Sequence, residues 1–347
     1  MVIIPDLNSP SARLPPAIPT EVPMRPIGFA VVLAISLLVG PIAAEAQQAG
    51  NVRRIGLLDT QDGPNTVVFR QSLREVGYEE GRNLVIDYRW HEGKYERLSA
   101  LTAELISLKP DVIVVTGPRA TAAIKAATTT IPVVFLVVAD PVGLGLVSSL
   151  ARPGGNITGF STVVPEGFPE KQLELLKEAV PGVARVAVLV NPANPMHRLS
   201  LPRTVAAAEK LKVKLQILEA STPDELESAF DAATRARANA IHVFGDTLTV
   251  THRVRIAELA ARARLPAMYL FKDNVAAGGL MSYGASTADL FQRSAGYIDK
   301  ILKGVRPAEL PVQQPAKFEL IINVRTAKAL GLTIPQSLLG RADQVIE

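Results

Sequence analysis

The 347-residue chain contains no cysteine. That excludes a disulfide framework, a thiolate nucleophile, a zinc site built on thiolates and a lipid anchor carried on cysteine. Histidine is scarce too. His91, His197, His242 and His252 are scattered without ligand spacing, so no metal site and no cofactor is expected. Aromatic residues make up only 5% of the chain, and no basic run is interleaved with them. Nucleic-acid binding therefore has no support in the sequence. Catalytic signatures are missing as well. There is no Gly-x-Ser-x-Gly elbow and no phosphate loop, and Gly143-Leu144-Gly145 lacks the third glycine of a dinucleotide fingerprint.

An apolar run from Ile27 to Leu38 follows Arg25 and is ended by Gly40-Pro41 and Ala44-Glu45-Ala46. It falls short of the roughly 20 residues of a spanning helix. A positive charge, a short apolar core and a small-x-small triplet form the pattern of a secretory signal. Residues 1–46 are read as that region, with mature protein starting near Gln47. Residues 1–23 are proline-rich and carry Arg13 as their only base, so Met24 makes a better start than Met1. An exported, freely soluble periplasmic protein follows. Its net charge is +4, and removing the two bases and three acids of residues 1–46 raises it to +5. With 48% hydrophobic and 20% charged residues, the chain can bury a core.

Beyond Arg53 the apolar pattern alternates between short continuous runs and segments of helical spacing. Arg53–Asp59, Asn83–Trp90, Asp111–Val115 and Ile131–Val138 read as strands, with helices over Val67–Val76, Tyr95–Leu108 and Ala120–Thr128 between them. Continuous apolar strands separated by helices imply a parallel sheet covered on both faces. The order then restarts at Arg185–Pro192 and runs through Lys214–Glu219, Ala240–Phe244, Ala267–Phe271 and Gly279–Tyr283. The expected architecture is α/β: two doubly wound parallel-sheet lobes with a cleft between them. Ser286–Leu302 reads as a helix and Phe318–Asn323 as a further strand. This tail is expected to return to the first lobe. The boundaries are then 53–163 with 287–347 for the first lobe and 164–286 for the second. Several crossings of the chain make a multi-strand hinge, which restricts motion to opening and closing.

Three segments carry a resemblance. They are ADPVGLGLVSSLARPGGNITGF at 139–160, AGGLMSYG at 277–284 and KFELIINVRTAKALGLTIPQSLLGRADQVIE at 317–347. From about Val52 to its last residue the chain resembles ABC transporter substrate-binding proteins related to tryptophan-binding and tyrosine-binding components. The resemblance implies a type I periplasmic-binding fold, a small ligand such as an amino acid or related carboxylate, and delivery to an ABC permease in the membrane. A monomer that catalyses nothing suffices for that task. A ligand-sensing receptor lobe or a two-domain transferase is the alternative.

Ligands of doubly wound sheets bind beyond the carboxyl ends of the strands. In the first lobe those ends offer Thr60, Gln61, Thr116, Gly117 and Asp140. Thr116-Gly117-Pro118 opens a helix whose free N–H groups attract a carboxylate. Asp140 pairs with a ligand ammonium group or caps a helix over Val142–Leu150. Asn156–Val163 reads as the first crossing, which sets Phe160 and Thr162 beside the hinge. The second lobe offers Asn191, Asp246 and Asp273, with Tyr283 at the end of its last strand. Each has a purely structural alternative: a strand end, a cap or core packing.

Overall fold

The computed structural model describes residues 52–162 and 167–347. The expected signal region, including Ile27–Leu38, lies outside them. Among the described residues no helix is long and apolar enough to cross a membrane.

The first sheet has the order β2-β1-β3-β4-β5 and is parallel throughout. Its strands are β1 (Arg53–Asp59), β2 (Leu84–Trp90), β3 (Val112–Thr116), β4 (Val133–Val138) and β5 (Ile157–Ser161). Helices α1 (Pro64–Glu75), α2 (Leu98–Ser107) and α3 (Pro118–Ala127) make the crossovers. Every residue of β3 is buried, which is what a strand covered on both faces requires. On one face Ile55, Leu57 and Val114 pack with Phe69 of α1. On the other, Leu58, Ile113 and Val115 pack with Leu105 of α2 and Ile124 of α3.

The second sheet has the order β12-β11-β10-β9-β8-β6-β7. Its parallel part comprises β6 (Arg185–Val190), β7 (Lys214–Glu219), β8 (Ala240–Val243), β9 (Ala267–Tyr269) and β10 (Met281–Ala285). It is wrapped by α4 (Phe168–Ala179), α5 (Pro195–Lys210), α6 (Glu225–Arg235), α7 (Thr247–Thr251), α8 (Arg253–Arg262) and α9 (Lys272–Ala276). Both faces again carry buried apolar clusters.

The tail divides between the lobes. Helix α10 (Thr287–Leu302) buries Leu290, Phe291, Ala295 and Ile298 in the first-lobe core, with Phe291 edge-on to Phe69 at 6.2 Å. The segment beyond it runs beside β5: Gln313 N–H donates to Gly159 O at 2.9 Å, and Ser161 N–H donates to Gln313 O at 2.8 Å. Then β11 (Phe318–Asn323) pairs antiparallel with β10, and β12 (Gln344–Ile346) pairs with β11. Short helices α11 (Val324–Ala329) and α12 (Gln336–Leu339) lie between these two strands. Residues 318–347 thus join the second sheet, not the first lobe where they were expected. Leu320 and Ile322 complete a core with Met268 and Met281, and that burial is unavailable beside the closed edge of the first sheet.

Among the described residues the chain therefore passes between the lobes three times, after Ser161, at Ala285–Thr287 and before Phe318. The last two passages touch, with Ser286 N–H donating to Lys317 O at 3.2 Å. Of the segment expected as the first crossing, Asn156–Val163, residues 157–161 form β5, and Val163 lies outside the described residues. Gly159 is required within that strand, because a Cβ there would stand 2.1 Å from Phe135 O.

Candidate functional site

Strand order places the carboxyl ends of β1, β3 and β4 opposite those of β8 and β9. Between them lies a cavity of about 220 Å³ lined from both lobes. The first lobe contributes the turn from Asp59 to Thr66, His91, Tyr95, residues 116–120, Val137, Thr287 and Phe291. The second contributes Asn194, residues 245–247, Val250, Arg253, Phe271 and Asp273.

Two helices point their first turns at this space. Both α1 and α3 begin on a glycine with proline following, and neither has a side-chain cap. Gly117 has a φ of 80°, a conformation glycine adopts without strain. Uncapped N–H groups at two helix starts give a positive end to the cavity.

A carboxylate sits beside them. Asp59 ends β1, and its Oδ1 accepts hydrogen bonds from the Thr116 hydroxyl and, at 2.6 Å, from the Thr60 N–H. Oδ2 has no protein partner among the described residues. Burial pushes the Asp59 carboxyl up to about 6, partly offset by those two hydrogen bonds and reinforced by the charges of Asp273 and Asp62. His91 is buried and held down to about 4 by desolvation and by Arg97, so it is neutral at pH 7. Its ring stacks on Tyr95 at 5.8 Å, and the Arg119 guanidinium lies 4.3 Å from the centre of the Tyr95 ring. Val137 has a φ of 58°, a strained value for a β-branched residue. It stands where the β4–β5 register shifts, and it faces the cavity.

The second-lobe wall is differently built. Asp246 has both oxygens engaged: Oδ1 accepts from Asn191 Nδ2 at 3.0 Å and Leu248 N–H at 2.9 Å, and Oδ2 accepts from Asn194 Nδ2 at 2.7 Å. His197 fastens the same ledge. Its Nδ1 accepts from Asn191 N–H at 2.8 Å, which leaves Nε2–H to donate to Gly245 O at 3.0 Å. Burial lowers the His197 pKa, opposed by that carbonyl and by Asp246.

Of the residues expected from strand ends, Thr60, Gln61, Thr116, Gly117, Asp246 and Asp273 line the cavity. Asp140, Phe160, Thr162, Asn191 and Tyr283 do not. Asp140 accepts from Gly143 N–H at 2.8 Å, and the expected helix over 142–150 is a series of turns. The bulge at Val137 displaces the end of β4, and the Asp-Pro turn folds the carboxylate onto its own backbone. Phe160 is buried against Tyr297 at 4.9 Å. Thr162 is buried with its N–H on Val138 O. Asn191 stands behind the wall, holding Asp246. Tyr283 stacks on Phe168 at 5.3 Å, close to the hinge. Strand-end reasoning missed Asp59, Asn65, His91, Tyr95, Arg119, Phe271, Thr287 and Phe291. Asp59 was legible as the last residue of RRIGLLD; Thr287 and Phe291 reach the site only through the second passage of the chain.

Fold and site together define a two-lobed receptor with a solute-sized chamber at its hinge-bounded cleft. Residues 59–346 match the family described as ABC transporter substrate binding protein, and the chain belongs to that family. Its members are extracytoplasmic, bind small solutes and deliver them to a membrane permease for import. The chain is 26% identical over 318 residues to the tyrosine-binding protein of Clostridioides difficile (strain R20291), covering 88% of this chain and 91% of that protein. Among solved structures, a conserved domain protein from Vibrio cholerae O1 biovar El Tor is 30% identical, with a TM-score of 0.78, over 85% of this chain and all of that one. A domain from Streptococcus pneumonia in complex with L-Trp is 28% identical, with a TM-score of 0.78, over 86% of this chain and all of that one.

Proposed function

We propose that this protein captures a small amphoteric solute, an amino acid or related carboxylate, by closing its lobes over it, and works as a periplasmic receptor. The observation that carries this reading is the chamber itself. It is bounded by the strand ends of both sheets and holds charge of both signs. The carboxylate of the solute sits on the uncapped first turns of α1 and α3, with Thr60 and Thr116 beside it. Its ammonium group sits on Asp59 Oδ2, with Asp273 reaching from the other lobe. Phe271, Phe291 and Val137 receive the apolar part. At about 220 Å³ the chamber is below the roughly 300–1,000 Å³ of drug-sized sites, which suits a solute of single amino-acid size. The L-Trp bound by the pneumococcal domain and the tyrosine of the clostridial relative's name make aromatic amino acids the first candidates.

Closure is selected by the solute. Ligand contacts from both lobes exist only in the closed form, so binding shifts the population towards it. The protein acts as a monomer, needs no cofactor, binds no nucleic acid and leaves its solute chemically unchanged. Residues 1–46 direct export and are then removed, so N-terminal sequencing of the secreted form should start near Gln47.

The test is a thermal-shift screen of amino acids, small carboxylates, sugars and nucleosides, because a ligand raises apparent stability by mass action. Stabilisation by an aromatic amino acid, confirmed by calorimetry and lost with its decarboxylated amine, supports the reading. Stabilisation by sugars or nucleosides alone overturns it.

A further inference from the structure

Arg119 looks like the residue that would hold a solute's carboxylate, yet its guanidinium is already committed. One face lies 4.3 Å from the centre of the Tyr95 ring, and Nη2 donates to the carbonyl of Ala193, across the cleft in the second lobe. The neighbouring first-lobe loop makes the crossing at other points. Tyr95 and Thr247 line the same cavity from opposite lobes. Gly93 faces Thr251 so closely that a Cβ would stand 3.2 Å from Thr251 Oγ1, a buried hydroxyl with no hydrogen-bond partner among the described residues. The landing points belong to two separate second-lobe segments, the turn after β6 and helix α7.

One carboxylate joins those segments. Asp246 binds Asn191 and Asn194 on the turn and Leu248 N–H on α7. Asn191 Oδ1 in turn accepts from Ala193 N–H at 3.0 Å, so the carbonyl that Arg119 reaches is positioned through the same network.

We propose that Arg119 and Tyr95 form a latch that closes the lobes onto a ledge held by Asp246, and that it maintains a closed population even without solute. Arg119 and Asp246 are positioning residues: they set how long the cleft stays shut, and Asp59 and the helix starts hold the solute. The latch rests on the reading that the lobes open and close. A charge-assisted hydrogen bond with a cation–π contact changes a closed-to-open ratio by roughly ten-fold or more.

The native chain has no cysteine, so a spin-label pair can be installed cleanly. Val67→Cys on α1 and Leu199→Cys on α5 are exposed positions, one in each lobe. Pulsed dipolar spectroscopy on the solute-free protein should give a short and a long distance. Arg119→Ala, Arg119→Lys and Asp246→Asn should each reduce the short component roughly ten-fold while the unfolding profile stays cooperative. Lysine keeps the charge but lacks the planar group that stacks on Tyr95 while donating to the Ala193 carbonyl, so failure to rescue separates the latch from simple charge. With L-tyrosine or L-tryptophan as probe, the Arg119 variants should raise the dissociation rate and leave the ranking of the two solutes unaltered. Two distances in proportions indifferent to Arg119, or no short component in the solute-free parent, overturn the latch and leave closure standing. A single distance in every sample, with solute and without, overturns both.

Discussion

Replacing Asp59 with asparagine should stabilise the empty protein and cripple it as a receptor. Oδ1 of Asp59 receives both of its hydrogen bonds, from Thr116 and from the Thr60 N–H, and the amide oxygen of asparagine can receive the same two. Oδ2, which has no protein donor among the described residues, becomes an NH₂ group. What changes is therefore the charge. Desolvation raises the Asp59 pKa from 3.8 to about 6, a shift of about 2.2 that corresponds to about 3 kcal/mol at 1.36 kcal/mol per unit. The side chain is half-buried, and water in the chamber screens part of this, so a gain of about 1–3 kcal/mol at pH 7 is expected.

The sign follows from proton uptake. Between pH 3.8 and about 6 the native protein binds more protons at Asp59 than the unfolded chain does. Stability from this residue is present below pH 3.8, falls as the pH rises through about 6, and is level above. Thermal unfolding of parent and Asp59→Asn proteins from pH 4 to 8 isolates this contribution together with its coupling to Asp273 and Asp62, because carboxylates that do not interact with Asp59 cancel in the difference. The midpoint of the variant at pH 7 should lie about 2–6 °C higher, at roughly 2 °C per kcal/mol for a chain of this size. The difference should close towards pH 4. Affinity for an ammonium-bearing solute should drop roughly 10- to 100-fold, the loss of one charge-assisted contact. A variant less stable than the parent at pH 7, or one with the same pH slope, would falsify the assignment of a desolvated carboxylate without an ionic partner.

Three further outcomes follow from the same geometry. Affinity for an ammonium-bearing solute should be level between pH 7 and 8, where His91 at about 4 does not titrate, and weaken towards ten-fold per unit below about 6 as Asp59 takes a proton; titration calorimetry across that range checks it. Asp140→Ala should leave affinity unchanged and lower stability by about 1 kcal/mol, the worth of the Gly143 contact, so a large loss of binding in a folded variant would return Asp140 to the site. Gly159→Ala should destabilise the protein by about 3 kcal/mol or more in denaturant titration, since the added methyl meets Phe135 O; a neutral effect would mean that the β4–β5 pairing yields easily.

The two-lobed plan was legible because continuous apolar strands alternating with helical spacing have few alternative arrangements. Sheet membership of the last strand was not. FELIIN is apolar enough to be buried in either sheet, and only its antiparallel fit beside Met281–Ala285 decides the matter. The site was half legible for a related reason. Strand ends point to the right chamber, but which side chain turns inward depends on backbone detail. Asp59 ends one apolar strand of the first sheet and Asp140 follows another by two residues. β1 runs straight into its turn and delivers Asp59 to the chamber. β4 carries the bulge at Val137, and beyond it the Asp-Pro turn spends the Asp140 carboxylate on Gly143 N–H. No pattern of apolar residues reveals a bulge, because a bulge shifts register without altering composition.

The two walls of the chamber differ in a way that orders the events of binding. On the first lobe the polar groups are left wanting: Asp59 Oδ2 has no donor, two helix starts have no cap, and Val137 is held at a φ of 58°. On the second lobe they are mostly content. Asp246, Asn191, Asn194 and His197 satisfy one another, while Asp273 on the wall and the Thr251 hydroxyl beside it have no side-chain hydrogen-bond partner among the described residues. Unsatisfied groups are where a solute gains most, because binding removes a penalty the empty protein already bears. The first lobe should therefore hold the solute in the open form, with the second lobe arriving as a preformed lid. Second-lobe substitutions such as Asp246→Asn should then act chiefly on dissociation, and Asp59→Asn on both association and dissociation. Stopped-flow rates with L-tyrosine or L-tryptophan distinguish the two. An Asp246 variant that slows association as much as the Asp59 variant would mean that both walls engage together, and that the lobes meet the solute at the same moment.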